Sequence, residues 1–161
     1  VVVILMGVAG SGKTFVGRTL AAALGCRFED ADAYHAPANV AKMSRGLPLT
    51  DAERAPWLAA LHDVIARAAD RREPLVLACS ALKERYRETL RGDLRTVRFV
   101  HLVADEATLH RRLASRPSHP VGPSLLASQL ADLEPPADAL TIDTTQPIDH
   151  ILNTIRREFG L

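Results

Sequence analysis

The sequence predicts an α/β fold: a five-stranded parallel sheet with helices on both faces and a short lid segment. Two observations predict it. Short, β-branched, apolar runs recur along the chain, as they do in strands buried on both faces. Between them lie stretches whose apolar residues repeat about every 3.6 positions. The alternation continues from end to end with no internal repeat and no low-complexity linker.

The run "VVVILM" (1–6) is the first strand. Residues 13–24 follow as a helix with Val16, Leu20, Ala23 and Leu24 on one face. "CRFED" (26–30) is a second strand, and a polar, proline-punctuated stretch leads on to Leu49. Thr50 and Glu53 have the spacing of a capping box. The helix they open carries Trp57, Leu58, Leu61, Val64, Ile65 and Ala68 toward the core. "EPLVLAC" (73–79) is a third strand, and a strongly charged helix is expected over 81–91. "TVRFVHLV" (96–103) is the fourth strand, after which Asp105 can cap a helix bearing Leu109 and Leu113. "RPSHPVGP" (116–123) breaks all periodicity, and a short helix over 124–132 follows. "ALTIDT" (139–144) is the fifth strand. A last helix places Ile148, Ile151, Leu152, Ile155 and Phe159 on one face, with Pro147 in its first turn.

Composition narrows the function. The 161 residues fit one domain, 1–161, with the lid over about 112–132. A net charge of +1 gives no basic surplus for nucleic acid. No apolar run reaches the roughly 18 residues of a membrane span, and no secretory signal pattern is present. Cys26 and Cys79 make neither a disulfide framework nor a metal-ligand spacing. Both are expected to be core residues, and the cytoplasm is the expected compartment. Among 20 Lys plus Arg, the lysines are only Lys13, Lys42 and Lys83. A retained lysine in an arginine-rich chain points to places where a compact ammonium is needed.

Gly7, Val8, Ala9, Gly10, Ser11, Gly12, Lys13 and Thr14 match G-x-x-x-x-G-K-[ST] in full. A buried strand precedes the motif and an amphipathic helix follows it. In that setting the glycines let backbone N–H groups turn around an anion, and the helix N-terminus adds positive potential. Lys13 can reach the outer phosphates of a nucleotide, and the Thr14 hydroxyl can bind Mg²⁺. The chain lacks the N-K-x-D base-reading motif, and its third strand ends in Cys79-Ser80 rather than in aspartate. After the second strand come Asp30, Asp32 and His35 in "DADAYH", where ligands bind in such sheets.

The blocks "GVAGSGKT", "DADAYH", "NVAKMSRGLPLTDAERAPWL", "CSALKERYRETLR" and "SLLASQLADLEPP" together resemble the gluconate kinase family, in order and over nearly the whole chain. The resemblance implies a shikimate-kinase-like P-loop kinase fold, ATP-dependent phosphorylation of D-gluconate at its 6-hydroxyl, and often a homodimer. All three lysines fall inside these blocks. Ala31 stands where the family usually has Gly, Thr14 where it has Ser, and the surroundings of His119 differ.

Roles follow from chemistry and position. Asp32 is the expected catalytic base and Asp30 an Mg²⁺ ligand. His35, Lys42, Arg54, Ser80 and His119 are candidates for contact with the sugar acid. Lys83 and Arg87, four apart on a helix, are expected to form a cationic wall. Arg112 and Arg116 are expected to bring charge onto the donor phosphates from the lid. Gln129 belongs to the Ser-Gln block without an evident role. The loop at Thr144, Thr145 and Gln146 is where adenine is expected. The alternatives are a kinase for shikimate or another sugar acid, and a nucleotide-binding regulatory module without transferase activity.

Overall fold

A computed structural model describes residues 1–116 and 123–161. Among these, the strands are β1 (Val2–Met6), β2 (Arg27–Asp30), β3 (Leu75–Ala78), β4 (Val97–Val103) and β5 (Leu140–Asp143). The α-helices are α1 (Lys13–Leu24), α2 (Pro37–Ser44), α3 (Asp51–Asp70), α4 (Glu84–Arg91), α5 (Glu106–Ala114), α6 (Pro123–Asp132) and α7 (Ile148–Phe159). A 3-10 turn covers Ala31–Tyr34. The sheet order is β2-β3-β1-β4-β5 and every pairing is parallel. The chain winds to one side of β1 through β2 and β3 and then to the other through β4 and β5. The crevice at the carboxyl end of β1 is therefore the topological switch point, where ligands bind.

Strand alternation divides the core in two. Val2, Ile4 and Met6 point toward α3 and α4, packing with Leu61, Ile65, Leu77 and Leu90. Val3 and Leu5 point toward α1 and α7, packing with Val16, Leu20, Ile151 and Ile155. Covering both faces explains why β1 and β3 are apolar throughout. The edge strands β2 and β5 are only partly buried.

The Thr50–Glu53 capping box forms, with Glu53 N–H donating to Thr50 Oγ1 and Thr50 N–H to Glu53 Oε1. The six residues predicted for the buried face of α3 are its buried residues. Asp105 caps α5 through the Thr108 N–H.

Several expectations are corrected. The polar stretch after β2 contains the 3-10 turn and α2, which Pro37 opens. No residue of α2 is buried, so no core-facing period announces it. Ala23 is exposed, because α1 packs through Val16, Gly17, Leu20 and Ala21. Helix α4 starts at Glu84 rather than 81, because Ala81 turns with φ 45°. Pro147 is the N-cap of α7 and not part of its first turn. Cys79 is buried, whereas Cys26 is only partly so.

Leu61 is 0% exposed where α3 meets the sheet. Leu61→Ala should cost about 2–5 kcal/mol of stability. Urea unfolding measures this, and a loss well under that range would mean the α3 interface can collapse around the gap.

Candidate active site

Gly7 to Thr14 leave β1 as a loop that ends in the first turn of α1. A Cβ on Gly7 would lie 2.6 Å from both Leu102 O and Ser11 Oγ. Gly12, the N-cap of α1, has φ 103° and offers no side chain to the helix terminus. The first turn of α1 also lacks acidic residues. Its N–H groups and dipole are left for an anion.

The loop is held from outside. Lys13 Nζ donates to Gly7 O at 2.9 Å and Val8 O at 3.0 Å. Arg112 Nη1 donates to Gly10 O at 3.1 Å, Ser11 O at 3.3 Å and Thr144 Oγ1 at 2.9 Å. Thr144 Oγ1 donates to Ser11 O at 2.7 Å. The buried Ser11 hydroxyl has no hydrogen-bond partner among the described residues.

A cleft of about 330 Å³ opens beside the loop. Lys13, Thr14, Asp30, Asp32, His35 and Arg116 are among its lining residues. Asp30 accepts from the Asp32 N–H at 3.0 Å and faces Thr14 Oγ1 at 3.4 Å. Asp32 is exposed at the cleft. Burial pushes the Lys13 ammonium below the usual lysine range, and the Asp32 and Asp30 charges oppose that shift. His35 stacks on Trp57 with ring centroids 4.2 Å apart, and Trp57 Nε1 donates to Ala31 O at 2.7 Å. Burial lowers the His35 pKa, which leaves the ring neutral at pH 7. Its buried Nδ1 has no hydrogen-bond partner among the described residues. Burial also pushes the Cys79 thiol up to about 12, so it stays protonated and inert.

The structure brings some expected residues to the cleft and not others. Ala9, Gly10, Gly12, Arg54 and Ser80 line it. Arg54 Nη1 is engaged by Leu49 O and Tyr86 Oη. Ser80 is not the cap of α4; Lys83 occupies that position without a side-chain bond. The Glu84 N–H is instead taken by Glu134 Oε1 at 2.9 Å. The cationic wall does not form. Arg87 is 1% exposed and bonds Ala81 O, Glu134 O and Glu84 Oε2. Lys42 lies outside the cleft lining and pairs with Glu53 Oε1 at 2.7 Å. Arg112 grips the back of the loop and lines a second hollow of about 310 Å³ with Phe15, Thr144 and Gln146. Thr145 instead turns its N–H and hydroxyl to Asp143. Arg116, just past α5, lines both spaces. His119, and the part of the expected lid around it, lie outside the described residues.

Sequence reasoning missed several contributors. Trp57 was assigned to the core, yet it also lines the cleft. Val40, Met43 and Leu47 form an apolar wall there. Gln129 reaches the loop, accepting the Ala9 N–H at 2.7 Å. Only its place in the Ser-Gln block marked it out. Among the described residues no helix is long and apolar enough to cross a membrane.

A phosphate loop at the switch point of a parallel sheet, with two carboxylates at the carboxyl end of β2, one strand beyond β3, defines a P-loop kinase, a class that binds ATP. The protein-family model described as an AAA domain matches residues 2–136. A gluconokinase of Gluconobacter oxydans (strain 621H) is 46% identical over 159 residues, covering 97% of this chain and 89% of that protein. The crystal structure of a gluconokinase from Sinorhizobium meliloti 1021 superposes with a TM-score of 0.85 at 41% identity, covering 98% of this chain and 90% of that one. The crystal structure of a sugar kinase from Janibacter gives a TM-score of 0.89 at 39% identity, covering 97% and 92%. The chain belongs to the gluconokinase family.

The Lys42 hydrogen bond, followed by bonds from Thr50, holds the Glu53 carboxyl at about 2, against an ordinary 4.5. A depressed folded-state pKa contributes stability above the unfolded value and loses it as pH falls through the folded one. Glu53→Gln should therefore lower the Tm at pH 7. The gap to wild type should close as pH falls from 4.5 to about 2. Thermal melts across that window check this; a gap constant with pH would mean the carboxylate charge contributes nothing.

Proposed function

We propose that this protein transfers the terminal phosphoryl group of ATP to the 6-hydroxyl of D-gluconate, giving 6-phospho-D-gluconate and ADP. The observation that carries the reading is the full-length likeness to gluconokinases, joined to a carboxylate pair beside the phosphate loop.

Phosphoryl transfer asks the protein mainly for positioning and charge stabilisation. The loop N–H groups and Lys13 hold the donor phosphates. Arg112 and Arg116 flank them, and adenine rests in the hollow of Phe15, Thr144 and Gln146. Thr14 and Asp30, a hydroxyl facing a carboxylate at 3.4 Å, are hard oxygen donors that suit Mg²⁺. Bound there, Mg²⁺ supplies neutralisation of the phosphate charge. Asp32 takes the proton of the acceptor hydroxyl as its oxygen bonds to phosphorus and the bond to the ADP oxygen breaks. The neutral His35 offers a ring nitrogen to a substrate hydroxyl. Arg54 and Ser80 face the same space, with Arg54 suited to the substrate carboxylate.

An ADP-release assay with Mg·ATP tests the reading against D-gluconate, shikimate and other sugar acids. Turnover mainly on gluconate is the expected result. ATP binding with silence on every acceptor would overturn it. Asp32→Asn should lower kcat by about 10²–10⁴-fold while the ATP KM changes little. A variant altered only in its ATP KM would remove Asp32 from the role of base.

A further inference from the structure

Gln129 is the one residue that joins α6 directly to the phosphate loop by a side-chain hydrogen bond among those described. Its Oε1 accepts the Ala9 N–H across 120 positions of sequence. The contact is seated on apolar packing. Leu126, one turn earlier on α6 and 0% exposed, packs with Val8, Leu82, Leu109 and Leu113. Leu130 and Ala9 border the same cluster.

The far end of α6 is also tied down. The Glu134 N–H donates to Leu82 O at 2.8 Å. Arg87 Nη2 donates to Glu134 O at 2.8 Å, and Arg87 Nη1 to Ala81 O at 2.8 Å. The Glu134 carboxylate accepts the Glu84 N–H. The turn after β3 returns to the loop, because the Gly7 N–H donates to Ser80 O at 3.2 Å. A closed circuit results: phosphate loop, β3–α4 turn, Glu134, α6, and through Gln129 back to the loop. The circuit borders the cleft at two points, Ser80 and Gln129.

We propose that Gln129 is a positioning residue for phosphoryl transfer. It fixes the loop at Ala9 against α6 and so sets the distance between the donor phosphates and the acceptor wall. This rests on the kinase reading above. The carboxamide suits the task. Its oxygen satisfies a half-buried N–H that would otherwise be orphaned, and it adds no negative charge beside the donor phosphates.

Two variants separate positioning from mere packing. Gln129→Leu keeps the volume and removes the acceptor; Gln129→Glu keeps an acceptor oxygen. In the nucleotide-free protein, the Ala9 amide should exchange with solvent at least about tenfold faster in Gln129→Leu, and at the wild-type rate in Gln129→Glu. Gln129→Leu should also lower kcat by about 10- to 100-fold, the scale of an ångström-sized misplacement, with the ATP KM within about threefold. Unchanged exchange at Ala9 in Gln129→Leu would overturn the proposal. So would a kcat loss matched by an equal rise in ATP KM. The exchange measurement needs no acceptor. A wild type inactive on gluconate would therefore remove the substrate reading, while exchange still decides the contact at Ala9.

Discussion

A loop that binds phosphate must turn its N–H groups inward, so its carbonyls turn outward and need donors of their own. The rest of this structure is arranged around that requirement. The carbonyls of Gly7 and Val8 are met by Lys13, and those of Gly10 and Ser11 by Arg112 and Thr144. The donors come from three places: the loop's own helix, α5 and the end of β5. Strand order brings them together, since β5 lies beside β4 and β4 beside β1. The Gly7 N–H itself is spent on Ser80 at the end of β3. A five-stranded sheet is thus the frame that lets distant segments meet the loop's outward carbonyls.

The same requirement shapes the charge. Two of the donors to the loop carbonyls are cations, and burial works against the charged form of Lys13. Asp32 and Asp30 offset that shift by their opposite charge. The carboxylates assigned to chemistry therefore also favour the charged form of the loop's lysine against the effect of burial. The 3-10 turn places them, because the Asp30 side chain accepts the Asp32 N–H and fixes their relative positions.

Legibility in the sequence follows the range of the interactions. The loop, the capping box on α3 and the buried face of α3 are local patterns, and each appears where its spacing put it. Roles set by distant partners were not legible. Arg87 carries the same charge as a surface arginine, yet its position is decided by Ala81 and by Glu134, 47 residues away. Lys42 is a candidate for substrate contact by its sequence block, but Glu53, eleven residues on, holds it. Helix α2 buries nothing in the core and turns Val40 and Met43 to the cleft, so a search for core periodicity passes over it. The sequence marks Arg112 as a cation for the donor phosphates, but its grip on the loop carbonyls depends on the packing of α5 against Gly10, which no local pattern announces.

Ala31 shows how a departure from a family pattern is resolved by backbone geometry. A glycine between two acidic residues suggests a need for positive φ. Ala31 is not among the positive-φ residues; it begins the 3-10 turn after an extended Asp30. Its methyl group is buried in the core beneath α3, and its carbonyl receives the Trp57 indole N–H. Trp57 in turn carries the His35 ring. A methyl at 31 therefore meets no conformational penalty and adds apolar contact at the base of the stack. It also reduces the freedom of the unfolded chain relative to glycine. The substitution supports the wall that presents Asp32 and His35 to the cleft.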